Sequence, residues 1–258
     1  MQSFNKLNCF VLIVGNARSG STLLGSIINA HPNAMVANET SASANFWRRL
    51  SRNDILEEIY IKSENDASSG RMSEGYDYTI QTNVTGKPDI LVMGDKVWNP
   101  ATLLLHGDFS LLTRLEDLIN APVKIIHAIR NPFDVIATMH HRSKAPIPDR
   151  ILWYFMHCDA VCAIHDHCQD SLFMDIHHED LIMTPDVVIS DISGFLGVDS
   201  DIDHIESCKR VLFGEPKRTR FNVNWNKDDI KDIVHRMSQY RFLQKYAVED
   251  YSELPVGV

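Results

Sequence analysis

Residues 12–32 read LIVGNARSGSTLLGSIINAHP. An apolar run over residues 10–14 leads into Gly15, four residues, Gly20, Ser21 and Thr22. Leu23, Leu24, Ile27 and Ile28 then share one helical face until His31-Pro32 ends the stretch. A buried strand, a glycine-bounded loop and a helix in this order cradle phosphate, because loop amides and a helix N-terminus both attract an anion. Nucleotide-hydrolysing loops of this pattern place Lys directly before the Ser/Thr. Here Gly20 stands before Ser21, and Arg18 supplies the positive charge from inside the loop. Ser21 and Thr22 can donate to phosphate oxygens.

Outward from this stretch, strand and helix signals alternate. Further strands are predicted at 34–37, 90–93, 123–129 and 171–176. Helices are predicted at 46–62, from Pro132 behind an Asn131 cap, at 150–168, at 186–196 ending on Gly197, and at 227–245. Residues 63–89, rich in Ser, Gly, Asp and Asn, read as a loop or lid, and 213–226 as a basic irregular segment. No repeat or second domain is visible. The pattern predicts an α/β chain forming one domain over 1–258, with a central parallel β-sheet covered by helices on both faces.

The net charge of −9 argues against a nucleic-acid binder, so any anion site must be a local positive cluster in an acidic protein. The apolar run at 9–14 is too short to span a bilayer and lacks the flanks of a signal peptide, which gives the expectation of a cytoplasmic protein without a membrane span. Sequons at Asn38 and Asn83 are then without meaning. Five cysteines without paired spacing fit reduced thiols. Cys158, Cys162 and His165 share a helical face, but no fourth ligand is indicated, so no metal site is assigned. His140 and His141 read as helix surface.

In folds of this class ligands bind at the carboxyl ends of the strands. Four strand ends deliver the Gly15–Thr22 loop, Asn38-Glu39-Thr40, Gly94-Asp95-Lys96 and Arg130. Thr138 follows Arg130 by just over two helical turns, so a guanidinium and a hydroxyl can grip a second phosphate.

These residues carry a resemblance. GNARSGSTLL (15–24) resembles the 5′-phosphosulfate loop of sulfotransferases that use 3′-phosphoadenosine 5′-phosphosulfate (PAPS). IHAIRNPFDVIATM (126–139) is similar to that superfamily's 3′-phosphate motif, with Thr138 standing where the family has Ser. HHEDLIMTPDVVISDISGFLGV (177–198) resembles its acidic segment and following helix, and KRTRFNVNW (217–225) its basic C-terminal segment. The similarity runs from about residue 10 to 230, with 41–89 unmatched and read as an acceptor-side insertion or lid. It implies a sulfotransferase fold of the P-loop nucleoside-triphosphate-hydrolase-like type. It also implies PAPS as donor, 3′-phosphoadenosine 5′-phosphate (PAP) as product, no metal requirement, and cofactor contacts from Asn16, Ala17, Arg18, Ser19, Gly20, Ser21, Thr22, Arg130, Thr138, Lys217, Arg218 and Arg220.

Sulfuryl transfer to a hydroxyl needs in-line geometry, proton removal and stabilisation of the charge growing on the bridging oxygen. RSGSTLLGSIINAHPNAMVANET (18–40) resembles the tyrosylprotein sulfotransferases, whose catalytic Glu follows the loop Arg at the spacing of Arg18 and Glu39. Glu39 is therefore the expected base, with Asp95 competing. Lys96, in GDKVWNP (94–100), is similar to a Lys of carbohydrate and tyrosylprotein sulfotransferases that holds acceptor or developing charge, and Arg18 joins it as a catalytic candidate. Phe46, Trp47 and Trp98 either line an acceptor pocket or simply pack. The acceptor is a hydroxyl on a small molecule, a carrier or a peptide Tyr. Two other functions remain open at this point: a P-loop kinase-like phosphotransferase, and a nucleotide-binding module without chemistry.

Overall fold

The computed structural model describes residues 4, 6–41, 50–73, 75–81, 87, 89–212 and 214–257. Five parallel strands form the central sheet: β1 (Cys9–Gly15), β2 (Ala34–Asn38), β5 (Val92–Lys96), β6 (Val123–Ile129) and β7 (Phe173–His177), in the order β2-β5-β1-β6-β7. A small hairpin, β3 (Met72–Ser73) and β4 (Tyr76–Asp77), stands apart.

The sheet is buried on both faces, and the alternation along β1 shows how. Phe10, Leu12 and Val14 enter one core with α2 (Arg52–Ser69), α3 (Asn99–Gly107), α4 (Ser110–Ile119) and α6 (Ile147–His167). Cys9, Val11 and Ile13 enter the other with α1 (Ser21–Ala30), α8 (Pro185–Leu196) and α9 (Ile202–Lys209). Successive side chains of a strand point to opposite faces, so a continuous apolar run is the signature of such a doubly covered strand. β5 lies so close to β1 that a Cβ on Gly94 would sit 2.1 Å from the Val11 carbonyl oxygen.

A third core joins α5 (Pro132–Ser143), α6 and the C-terminal region, which includes α10 (Lys227–Met237) and α11 (Gln244–Ala247). Its centre is Trp225, fully buried and edge-on to Phe133 at 5.0 Å. The Trp225 indole donates to the Arg220 carbonyl at 2.8 Å, and its backbone N–H donates to Pro255 O at 2.8 Å. The tail is thereby tied across the basic segment 213–226.

Several boundaries differ from the sequence expectation. α2 starts at a Ser51–Asp54 capping box and runs on through the polar stretch to Ser69, so much of the expected 63–89 loop is helix and hairpin. Residues 42–49 lie outside the described set. β5 includes Asp95 and Lys96, because ladder pairing with β1 and β2 carries it past the apolar run. α3, α4, α9 and the short α7 (His178–Met183) were not anticipated, and the expected 227–245 helix is broken between α10 and α11. No helix among the described residues is long and apolar enough to cross a membrane.

Candidate functional site

The carboxyl edge of the sheet presents, in spatial order, Glu39 after β2, Lys96 ending β5, the loop after β1, Arg130 after β6 and His178 after β7. With about 4.8 Å between strands, the row is roughly 20 Å long.

The loop after β1 has an inner and an outer side. Asn16 is buried and donates from Nδ2 to Tyr154 O at 3.2 Å; Ser19 Oγ donates to Asn16 O at 2.7 Å. Ala17 packs on the third core. These three side chains shape the loop and turn away from its mouth. Arg18 takes φ 75°, a left-handed conformation rarely adopted by a residue with a Cβ. Gly20, at φ 92°, caps α1, and a Cβ there would lie 2.4 Å from Nδ1 of His178. α1 has no side-chain cap and no acidic residue in its first turn, so the positive end of its dipole faces the loop's mouth.

That mouth opens into a cavity of about 250 Å³. Loop and α1 contribute Arg18, Gly20, Ser21, Thr22 and Leu23; β6 and α5 contribute Arg130, Thr138, His141 and Arg142. α7 adds His178 and Ile182, the basic segment Lys217 and Thr219, and the hairpin region Tyr76 and Tyr78. Four of these residues are Arg or Lys, and among the described residues no Asp or Glu lines the cavity, in a chain of net charge −9. A concentrated positive wall of this kind is a site for a multiply charged anion.

Arg130 ties two of the walls together. Its Nη1 donates to Arg18 O at 3.3 Å and its Nη2 to Lys217 O at 2.5 Å, while Nε is buried without a hydrogen-bond partner. Lys217 Nζ lies 4.8 Å from the centre of the Tyr76 ring, closing basic segment against hairpin. Thr138 and Thr219 place their hydroxyls 3.0 Å apart. The imidazole of His178 is held neutral: burial, reinforced by the charge of Arg130, lowers its pKa to about 4, and its Nδ1 has no partner.

Arg218 and Arg220 do not join this cavity. Both line a separate cleft with Glu179, Glu249 and Tyr251. Arg220 is buried in ion pairs with Asp134 (3.1 Å) and Glu249 (2.8 Å). The resemblance grouped them with Lys217, but the chain alternates sides here, so only Lys217 and Thr219 reach the cavity.

At the other end of the row, Lys96 Nζ pairs with Glu39 Oε1. Glu39 is exposed and takes φ 57°, and its carbonyl accepts a hydrogen bond from Lys62 Nζ at 2.5 Å. Two non-glycine residues in left-handed conformation, Arg18 and Glu39, thus stand at the ends of β1 and β2, where backbone strain often accompanies function. Asp95, the rival base, is 1% exposed and accepts from Thr40 N at 3.1 Å and Thr40 Oγ1 at 2.7 Å. Its carboxylate serves the core, whereas a base must reach the acceptor. Below the pair, buried Arg71 donates to Val36 O at 2.7 Å and pairs with Asp66 at 3.1 Å, fixing the hairpin to β2 and α2.

Trp98 caps α3 and is 45% exposed, close in sequence to Lys96; Phe46 and Trp47 lie outside the described residues. The Cys158 sulfur lies 3.7 Å from Asn16 Nδ2, and burial raises its thiol pKa well above the usual value, which makes it a packing group. Among the described residues no His, Cys, Asp and Glu cluster could hold a metal ion. His141 is exposed on the helix surface, as expected, and also lines the cavity. Tyr76, Tyr78, Arg142, His178 and Thr219 were not foreseen. The strand-end rule applied to β7 would have found His178; nothing local marks the tyrosines.

Comparison with known proteins follows this geometry. The sequence model of the sulfotransferase domain matches residues 10–254. No curated protein matches the chain. The sulfotransferase domain of the Synechococcus PCC 7002 olefin synthase superposes with a TM-score of 0.51 at 16% identity, covering 98% of this chain and 90% of that one. The sulfotransferase domain of the curacin biosynthetic pathway gives 0.55 at 14% identity, covering 92% and 99%. Mouse sulfotransferase SULT7A1, solved in complex with PAP, gives 0.54 at 13% identity, covering 95% and 89%. At these identities the structures share the fold.

Proposed function

The chain belongs to the sulfotransferase family, and from that premise we propose that it transfers a sulfuryl group from PAPS to a hydroxyl acceptor and releases PAP. The observation that carries the reading is the cavity lined, among the described residues, by four cations and no carboxylate, bounded at one end by the α1 N-terminus and at the other by Arg130 and Thr138. PAPS carries charge at two places on one nucleoside. In this reading its phosphosulfate lies at the loop, against Arg18, Gly20, Ser21 and Thr22. Its 3′-phosphate lies against Arg130, Thr138 and Lys217. The PAP complex of mouse SULT7A1 is consistent with this.

Glu39 is the general base. It accepts the proton of the acceptor hydroxyl as the acceptor oxygen forms its bond to sulfur. The bond from sulfur to the bridging oxygen breaks in line, and its electron pair leaves on the PAP phosphate. Lys96, paired with Glu39, holds the carboxylate in place and offsets negative charge, and Arg18 offsets negative charge from the loop. The acceptor approaches from the β2–β5 end of the row, beside α2, whose Lys62 bonds the Glu39 carbonyl. A magnesium–ATP reading would want a carboxylate beside the phosphates, and the cavity wall offers none among the described residues.

The test is Glu39→Gln. PAP affinity is expected to stay within about twofold of wild type, while turnover with any working phenol or alcohol acceptor falls roughly 10²–10⁴-fold, the usual worth of a positioned base. Turnover near wild type removes Glu39 from the role.

A further inference from the structure

Arg220 invites a different role from the one its motif implies. Its backbone N–H donates to Asp134 Oδ1 at 2.8 Å, and its guanidinium pairs with Asp134 Oδ2 at 3.1 Å and Glu249 Oε2 at 2.8 Å. Neither Arg220 nor Asp134 lines the cavity, and Arg220 lines the separate cleft instead. Three distant segments are joined at this point: the first turn of α5, the basic segment, and the tail beyond α11. Asn131, the cap of α5, adds a bond from Nδ2 to the same Glu249 oxygen at 3.2 Å.

The consequence lies one residue away. The carbonyl oxygen of Asp134 accepts from Thr138 Oγ1 at 2.7 Å and from Thr219 Oγ1 at 2.9 Å, and the two hydroxyl oxygens are 3.0 Å apart. Both threonines line the cavity beside Arg130. Three oxygens here share two hydroxyl protons. Either hydroxyl alone keeps the carbonyl satisfied, so the other can turn to a ligand without stranding a buried acceptor.

We propose that Asp134, Arg220 and Glu249 form a clip that positions a hydroxyl pair, Thr138 and Thr219, beside Arg130, so that one hydroxyl donates to a phosphate group while the other holds the Asp134 carbonyl. Thr219 is a phosphate-binding residue in its own right, and Arg220 is a positioning residue that never touches the ligand. The assignment of that phosphate as the 3′-phosphate of the nucleotide rests on the proposed function.

The experiment compares two probes, PAP and adenosine 5′-monophosphate (AMP), by calorimetric titration on wild type and on Thr219→Val, Thr219→Ser, Glu249→Gln and Arg220→Lys, with the melting temperature of each variant. AMP lacks the 3′-phosphate, so the ratio of the two dissociation constants isolates that group. Thr219→Val is expected to shrink the ratio about tenfold with AMP affinity unchanged, and Thr219→Ser to restore it. Glu249→Gln and Arg220→Lys should shrink the ratio severalfold through the clip while AMP binding stays intact. A merely structural role would weaken both ligands in proportion. A wild-type ratio retained by Thr219→Val overturns the grip, and one retained by both clip variants overturns the clip. A wild type that binds AMP as tightly as PAP overturns the proposed function, and this inference with it.

Discussion

Gly20→Ala puts a methyl group where the structure has none to spare. The new Cβ would lie 2.4 Å from Nδ1, 3.0 Å from Cε1 and 3.2 Å from Cγ of His178, on a backbone at φ 92°. The left-handed conformation costs an L-residue about 1–2 kcal/mol. The collision adds to this, because the half-buried imidazole must move out from between Gly20 and the wall of Arg130, and overpacking of this kind costs roughly 1–3 kcal/mol. A loss of about 2–5 kcal/mol is expected, measured by urea denaturation. The contact has its own signature in a double-mutant cycle with His178→Ala. With the ring removed, the collision vanishes and only the backbone cost of about 1–2 kcal/mol remains. An equal cost of Gly20→Ala in both backgrounds would refute the packing of His178 against the loop. A cost below about 0.5 kcal/mol in wild type would refute the strained cap as well, since surface substitutions fall in that range.

Two other outcomes follow from buried groups. Gly94→Ala would bring a Cβ to 2.1 Å from the Val11 carbonyl oxygen, and backbone cannot swing aside, so the variant should lose more than about 4 kcal/mol or fail to fold, as circular dichroism after expression would show. His177 and His178 each have a pKa lowered to about 4, His177 by burial and the charge of Lys245, His178 by burial and Arg130. Between that value and the ordinary 6.5 the unfolded chain binds the protons and the folded one does not. Stability is therefore full above the upper value and falls as pH drops through the window, by roughly 1.4 kcal/mol per pH unit for each ring. His178→Gln should remove about half of that slope in urea titrations; an unchanged acid limb would contradict the neutral, half-buried His178.

The sequence was most legible where one short stretch determines both structure and chemistry. Gly15 to Thr22 could be read because a β-branched run, two glycines and an amphipathic helix leave few other geometries. Arg130 and Thr138 could be read because a strand end and two helical turns fix their separation. Within those motifs the side chains that truly reach the cavity were harder to tell. Asn16 and Ser19 look like ligands and serve the loop itself, since the tight turn needs their hydrogen bonds. Lys217 and Arg218 are neighbours in sequence and face different clefts. Tyr76 and Tyr78 arrive from a segment whose placement depends on tertiary contacts, such as Arg71 gripping Val36, and no local pattern encodes these. Asp95 and Glu39 are similar as strand-end carboxylates in sequence; burial and the Thr40 bonds separate them.

The central claim is that one cavity holds two separated phosphate grips. Thermal unfolding of the intact chain with PAP, AMP and ATP–Mg²⁺ at matched concentration tests it most directly. A ligand that binds the folded state alone adds about 2.7 kcal/mol at 100 times its dissociation constant, which for a chain of this size raises the midpoint by roughly 5–10 °C. PAP is expected to produce a shift of this order and AMP a much smaller one. Stabilisation by ATP–Mg²⁺ with none by PAP would contradict it and move the chain toward phosphoryl chemistry.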